Sequence, residues 1–172
     1  MIVIYGPFAE TFQCPTPNFS ALSTDIFIYR LIIPNGAWPV SARYADVRDV
    51  AKAHVNALKS PLSSEAGIGR KRFLIGSVDG LDYDRFFQLI KEKRPQLASR
   101  LTTVPQPQVP PGGRGYPVDF DRVGKILGMK KEDFHTFEST FLDTVDSLIE
   151  YEDAWKAKGY EVSVPPVPTD AL

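Results

Sequence analysis

Side-chain chemistry needs a nucleophile beside a base, paired carboxylates, a metal-ligand cluster or a glycine-rich cradle. This sequence offers little of each. Its only histidines are His54 and His135, and its only cysteine is Cys14. Neither a His-Glu-x-x-His pair nor a Gly-x-Ser-x-Gly elbow occurs. A single cysteine forms no internal disulfide and no Cys-rich metal site, which points to a reducing compartment. Cys14 lies between Gln13 and Pro15 with no adjacent base to generate a thiolate. His54 falls on the apolar side of a helical pattern, where a hydrogen-bonded core or boundary histidine is expected rather than a catalyst. The acid pairs Asp82/Asp84, Asp119/Asp121 and Glu132/Asp133 sit near helix ends, where capping and the helix dipole account for them. Gly112-Gly113-Arg114-Gly115 is the one candidate phosphate cradle, but it follows prolines instead of a strand, so a mobile surface loop is the expectation. No catalytic residue and no metal ligand is assigned.

The elements that would position any site are those of an α/β chain, because short apolar runs alternate with helical periodicity. Ile2 to Tyr5, stopped by Gly6-Pro7, predicts an interior strand buried on both faces. Leu22 to Ile33 predicts a helix, and Arg43 to Ala45 a short extended piece leading into a helix from Val47 to about Lys59. Asp46 can cap that helix and Asp49 completes a capping-box spacing, with Val47, Val50, Ala51, His54, Val55 and Leu58 as its apolar face. Arg72 to Gly76 reads as a strand. Asp82 caps a helix running through Arg94, with Tyr83, Phe86, Phe87 and Ile90 inward and Pro95 as the stop. Asp119 to Leu127 is a shorter helix closed by Gly128. A long last helix from about Thr136 turns Phe137, Phe141, Val145, Leu148 and Ile149 inward and continues to Lys158.

Of 172 residues, 43% are hydrophobic, and 20 basic against 21 acidic side chains leave a net charge of −1. That suits one compact domain or a piece of a larger one. No dense Lys/Arg run supplies the field that nucleic acid or an anionic membrane requires, so neither is an expected partner. The longest apolar stretches fall short of the roughly 18 residues of a span, Ile26 to Tyr29 being cut by Arg30. Met1 to Pro7 lacks the basic flank of a signal peptide. A soluble, cytoplasmic protein is expected. Proline is in excess at 15 residues, concentrated in 105–117 and 165–168, which predicts a loop and a flexible Pro-rich tail over 161–172.

Two stretches are more specific than composition. Ile4-Tyr5-Gly6-Pro7, followed by Arg43-Tyr44-Ala45-Asp46-Val47-Arg48-Asp49-Val50-Ala51-Lys52-Ala53-His54-Val55-Asn56-Ala57-Leu58, resembles the extended short-chain dehydrogenase/reductases. More narrowly it is similar to the branch of dihydroflavonol reductases and fungal ketone and aldehyde reductases. Lys71 to Ile75, Asp121 with Lys125-Ile126-Leu127-Gly128, and Thr144-Val145-Asp146-Ser147-Leu148 continue the likeness in order. The resemblance implies the C-terminal part of a Rossmann-type fold: the last sheet strands, with 1–5 a late Rossmann strand, plus a mostly helical substrate domain within 1–160. On that reading the chain begins mid-fold.

In the family a Tyr-x-x-x-Lys pair and a Ser act on the carbonyl while nicotinamide delivers hydride. No Tyr here has Lys four residues later. What the resemblance carries over is a minor share of a cofactor site for NADP, with NAD as the alternative: the backbone at Ile2, Val3 and Ile4, and Ser23 or Thr24 as a polar contact. Met1-Ile2 departs from the one or two prolines the family places there. Phe8 and Phe12 are read as lining for a small carbonyl substrate, or as plain core. The Asp46-Val47-Arg48-Asp49 motif is read as structural, with Arg48 pairing a neighbour. The implied function is the substrate-binding half of a ketone or aldehyde reductase, inactive alone, whose partner is a missing Rossmann half or an intact homologue. A non-catalytic ligand- or partner-binding module is the second reading, and an enzyme of unrelated mechanism built on His54, His135 and scattered acids the third.

Overall fold

The computed structural model describes residues 2–38, 43–65, 67–106 and 117–164. Local capping sets where its helices begin. Asp46, Asp82, Asp119 and Thr136 each take a backbone N–H on their side-chain oxygen, from Arg48, Arg85, Arg122 and Ser139 respectively. They open α2 (Val47–Ala57), α3 (Tyr83–Lys93), α4 (Phe120–Leu127) and α5 (Phe137–Ala157). Gly128 ends α4 in the left-handed conformation with φ of 66°, a geometry glycine adopts without a Cβ penalty. The two strands, β1 (Val3–Tyr5) and β2 (Tyr44–Asp46), pair in parallel with Val3 opposite Tyr44 and Tyr5 opposite Asp46. Parallel pairing demands a long crossover, and α1 (Ile26–Leu31) lies within it.

The long helix α5 is the spine. Phe137, Thr140, Phe141, Thr144, Val145, Leu148, Glu152 and Trp155 recur at helical spacing and are all buried. The Phe141 ring sits 5.7 Å from Tyr5, 4.9 Å from Tyr44 and 5.6 Å from Phe86, so both strands and α3 converge on one side chain. A second, smaller core gathers Ala53 of α2, Val123, Ile126 and Leu127 of α4, Met129 and Phe134. Asn56 donates to the Leu127 carbonyl at 2.9 Å, tying α2 to the C-terminus of α4.

Several expectations are corrected. The stretch from Leu22 is no continuous helix: a tight 3-10 turn over Phe19–Asp25 contains Ser23 at φ 51°, and α-helical geometry begins only at Ile26. The Arg72 to Gly76 segment is not a ladder strand; it touches the sheet through the Ser77 N–H on the Tyr44 carbonyl at 2.8 Å. β1 is not buried on both faces, since Ile4 is 41% exposed while Val3 and Tyr5 are buried. The apolar stripe of α2 faces solvent, with Val47 37%, Val55 58% and Leu58 87% exposed, and Ala51 and His54 exposed beside them. Its buried face carries Asp49 and Ala53 instead. Asp49 closes no capping box; it accepts the His135 backbone N–H at 3.0 Å and pairs with His135 Nδ1 at 2.7 Å. Those bonds satisfy a carboxylate that would otherwise be costly to bury.

His54 is exposed and places Nδ1 2.7 Å from the Val50 carbonyl, a surface histidine rather than a core one. In the stretch read as a tail, Val162 and Val164 pack against the main core. The Gly112-Gly113-Arg114-Gly115 cluster and residues 165–172 lie outside the described residues. Among the described residues no helix is long and apolar enough to cross a membrane.

Candidate functional site

Strand alternation sends Val3 and Tyr5 into the main core and turns Ile4 to the other face. On that face, at the carboxyl ends of the parallel pair, a cleft of about 330 Å³ opens between the turn after β1, the 3-10 turn before α1, and the first residue of α2. Ligands in α/β folds bind at this end of parallel strands. Gly6 makes the close approach of walls feasible: its φ is 146°, and a Cβ there would lie 2.5 Å from Val47 Cγ1.

Five of the seven residues expected at a site line this cleft: Ile4, Phe8, Phe12, Ser23 and Thr24. Thr24 Oγ1 donates to the Ile4 carbonyl, joining the two expected cofactor contacts directly. Ile2 and Val3 are elsewhere. Val3 is in the main core, and Ile2 packs towards Gly76. Phe8 and Phe12 stack at 4.6 Å, and both meet the edge of Tyr151 at 5.3 and 5.5 Å. The Phe8 N–H donates to Ser147 Oγ at 3.1 Å and Tyr151 Oη to the Phe12 carbonyl at 2.6 Å. The aromatic pair packs on α5 and also walls the cleft.

Sequence reading missed Asp25, Gly6 and Val47. Asp25 is 8% exposed, lines the cleft, and its Oδ1 has no hydrogen-bond partner. Burial pushes its carboxyl up to about 8 against the lowering effect of the Gly6 N–H, with the Asp46 charge adding to the rise. The only signal in the chain was an acid directly before the apolar run Ile26-Phe27-Ile28.

Asp46 is a contrasting carboxylate. Burial would raise it, but hydrogen bonds from Arg48 and Thr140 outweigh that and hold it below the usual carboxylate range. Arg48 reaches Asp46 Oδ2 at 2.7 Å and Asp143 of α5 at 2.6 Å, which bears out a structural role for the Asp46 to Asp49 motif. Among the described residues no group of three or more His, Cys, Asp or Glu is arranged to hold a metal.

Val47 carries the cleft wall into the exposed stripe of α2, so Ile4, Val47, Ala51, Val55 and Leu58 make an open apolar surface. A chain presenting it should self-associate. Replacing Val55 and Leu58 together by lysine is expected to abolish concentration-dependent association in sedimentation velocity while moving the unfolding free energy by no more than about 0.5 kcal/mol. Loss of the fold in that variant would show that the stripe is internal packing.

No protein-family model and no curated protein sequence matches the chain. Solved structures do. Gre2 from Candida albicans aligns with 87% of this chain and 43% of its own, at TM-score 0.57 and 20% identity. Yeast methylglyoxal/isovaleraldehyde reductase Gre2, solved with NADPH, aligns with 88% of this chain and 45% of its own at TM-score 0.54 and 20% identity. The Candida albicans Gre2–NADPH complex gives TM-score 0.53 at 22% identity over 86% and 41%. The chain has the fold of part of a Rossmann-type reductase. It spans less than half the length of these structures.

Proposed function

We propose that this chain is the substrate-side portion of an NAD(P)H-dependent reductase of ketones or aldehydes, and that by itself it binds but does not transfer hydride. The observation that carries the reading is the convergence of Ile4, Phe8, Phe12, Ser23 and Thr24 on one cleft at the strand ends, in a fold shared with reductases solved with NADPH. The cleft suits a small carbonyl compound or the uncharged nicotinamide end of a cofactor. Among the described residues no Lys or Arg lines it, so those residues offer a pyrophosphate no counter-charge. When bound, the dinucleotide would supply the hydride. Ile4 and Thr24 would border its ring, Phe8 and Phe12 would exclude water, and the sequence holds no Tyr-x-x-x-Lys pair to serve as the acid.

The test is calorimetric titration of NADPH into the 172-residue chain with a thermal melt on the same sample. No measurable NADPH heat is expected, because the charged part of the cofactor finds no counter-charge. Tight NADPH binding with one sharp transition would overturn the reading, since the chain would then build a whole cofactor site. The exposed α2 stripe and Ile4 favour a second role for the same chain: docking onto a complementary Rossmann half or an intact homologue, with the α2 stripe as the contact. A sharp cooperative melt without association or cofactor would instead support the non-catalytic binding module.

A further inference from the structure

The cleft has one polar group that no reductase step described above uses. Asp25 sits in its wall beside Leu22, Ser23 and Thr24, nine-tenths buried, with Oδ1 lacking any partner. Native proteins rarely leave a buried carboxylate oxygen unbonded, because desolvation costs more than it returns. The surroundings do not explain it as an ion pair. The titratable groups facing it are Tyr5 on β1, whose own hydroxyl is buried without a hydrogen-bond partner, and Asp46 on β2, and Arg48 of α2 is committed to Asp46 and Asp143. The remaining lining is largely apolar: Ile4, Phe8, Phe12, Leu22 and Val47.

We propose that Asp25 is the polar anchor of the cleft, donating a carboxylic-acid hydrogen bond to the carbonyl oxygen of an otherwise apolar small molecule. This rests on the reading of the cleft as a ligand site and adds its selectivity element. A neutral acid both donates and accepts, so it distinguishes a ketone from a hydrocarbon of the same shape. A site that hydrogen-bonds one group discriminates against the isostere lacking it more strongly than an apolar pocket can. The carboxyl, pushed up to about 8 by burial, is predominantly the acid at neutral pH and loses its donor proton as the pH rises through that value.

The experiment follows backbone ¹H–¹⁵N shifts of Gly6, Phe8, Thr24 and Val47 in the full 172-residue chain, titrated with acetophenone and with ethylbenzene. Acetophenone should bind about tenfold more tightly than ethylbenzene at neutral pH, and the preference should fall at alkaline pH. Asp25→Leu should erase the preference while keeping ethylbenzene binding. Asp25→Asn, whose amide still donates, should keep part of the preference and lose its pH dependence. Equal binding of the two ligands to the wild type, or a preference surviving in Asp25→Leu, overturns the role of Asp25 and leaves the cleft a ligand site. No shift at those amides with either ligand overturns the ligand-site reading and this assignment with it. Should the leucine variant fail to fold, the asparagine variant and the wild-type pH series decide.

Discussion

Replacing Glu152 by alanine should lower the unfolding free energy by about 3–5 kcal/mol, the range for removing one partner of a buried charge pair. Glu152 is buried in α5, where Oε2 accepts from Tyr29 Oη at 2.5 Å and Arg100 Nη2 at 2.6 Å, and Oε1 accepts from Lys156. One carboxylate thus ties α5 to α1 and to the 3-10 turn Pro95–Arg100. Truncation leaves the Arg100 guanidinium without its carboxylate partner and the Tyr29 hydroxyl without an acceptor. Urea unfolding measures the loss. A change under about 1 kcal/mol would mean that Arg100 and Tyr29 find water readily and that the clamp is a surface feature. Glu152→Gln should fall between, since the amide oxygen keeps one acceptor.

The same group predicts an acid limb. Burial alone would raise Glu152, but bonds from Arg100, Lys156 and Tyr29 outweigh it and hold the carboxyl at about 2. Its folded value lies below the unfolded one of about 4.3, so the stabilisation is present above that value and is lost as the pH falls towards about 2. The wild type should therefore lose stability steeply between pH 4 and 2, and Glu152→Gln should flatten that limb, read from melting temperatures across the series.

Asp46→Ala should cost about 3–4 kcal/mol, combining an N-cap with a buried ion pair. Asp46 takes the Arg48 N–H at 2.8 Å, Arg48 Nε at 2.9 Å and Nη2 at 2.7 Å, and Thr140 Oγ1 at 2.8 Å. It is at once the last residue of β2 and the cap of α2, so its loss loosens the sheet, the helix and their seat on α5 together. Asp46→Asn keeps the cap acceptor and should lose roughly half as much. Equal losses for alanine and asparagine would place the energy in the charge alone; a loss near 1 kcal/mol for alanine would place it in the cap alone.

Much of this protein is local and therefore readable along the chain. Asp46, Asp82, Asp119 and Thr136 start their helices, and Gly128 stops one, through bonds spanning a few residues. The inward face of α5 follows from 3.6-residue spacing because its partners surround it on one side. Of the expected site, Ile4, Phe8, Phe12, Ser23 and Thr24 meet in space, whereas Ile2 and Val3 lie just before and at the start of β1, away from a cleft that opens at its carboxyl end.

What periodicity could not reveal is which face of α2 is covered. Its apolar stripe is a valid amphipathic signal, yet Asp49 and Ala53 lie inward because His135, 86 positions away, satisfies the carboxylate, and Asn56 bonds to the Leu127 carbonyl 71 positions away. Ser23 at positive φ likewise breaks an apparently regular helix so that Thr24 can reach the Ile4 carbonyl. By itself the sequence determined the α/β class, the starts of α2 to α5 and the capping use of Asp46, all set by short-range bonds and residue type. Only the tertiary structure decided that Asp25 Oδ1 stands unpartnered beside an apolar cleft and that Val55 and Leu58 face outward, because burial and hydrogen-bond partners belong to distant segments that meet only in the fold.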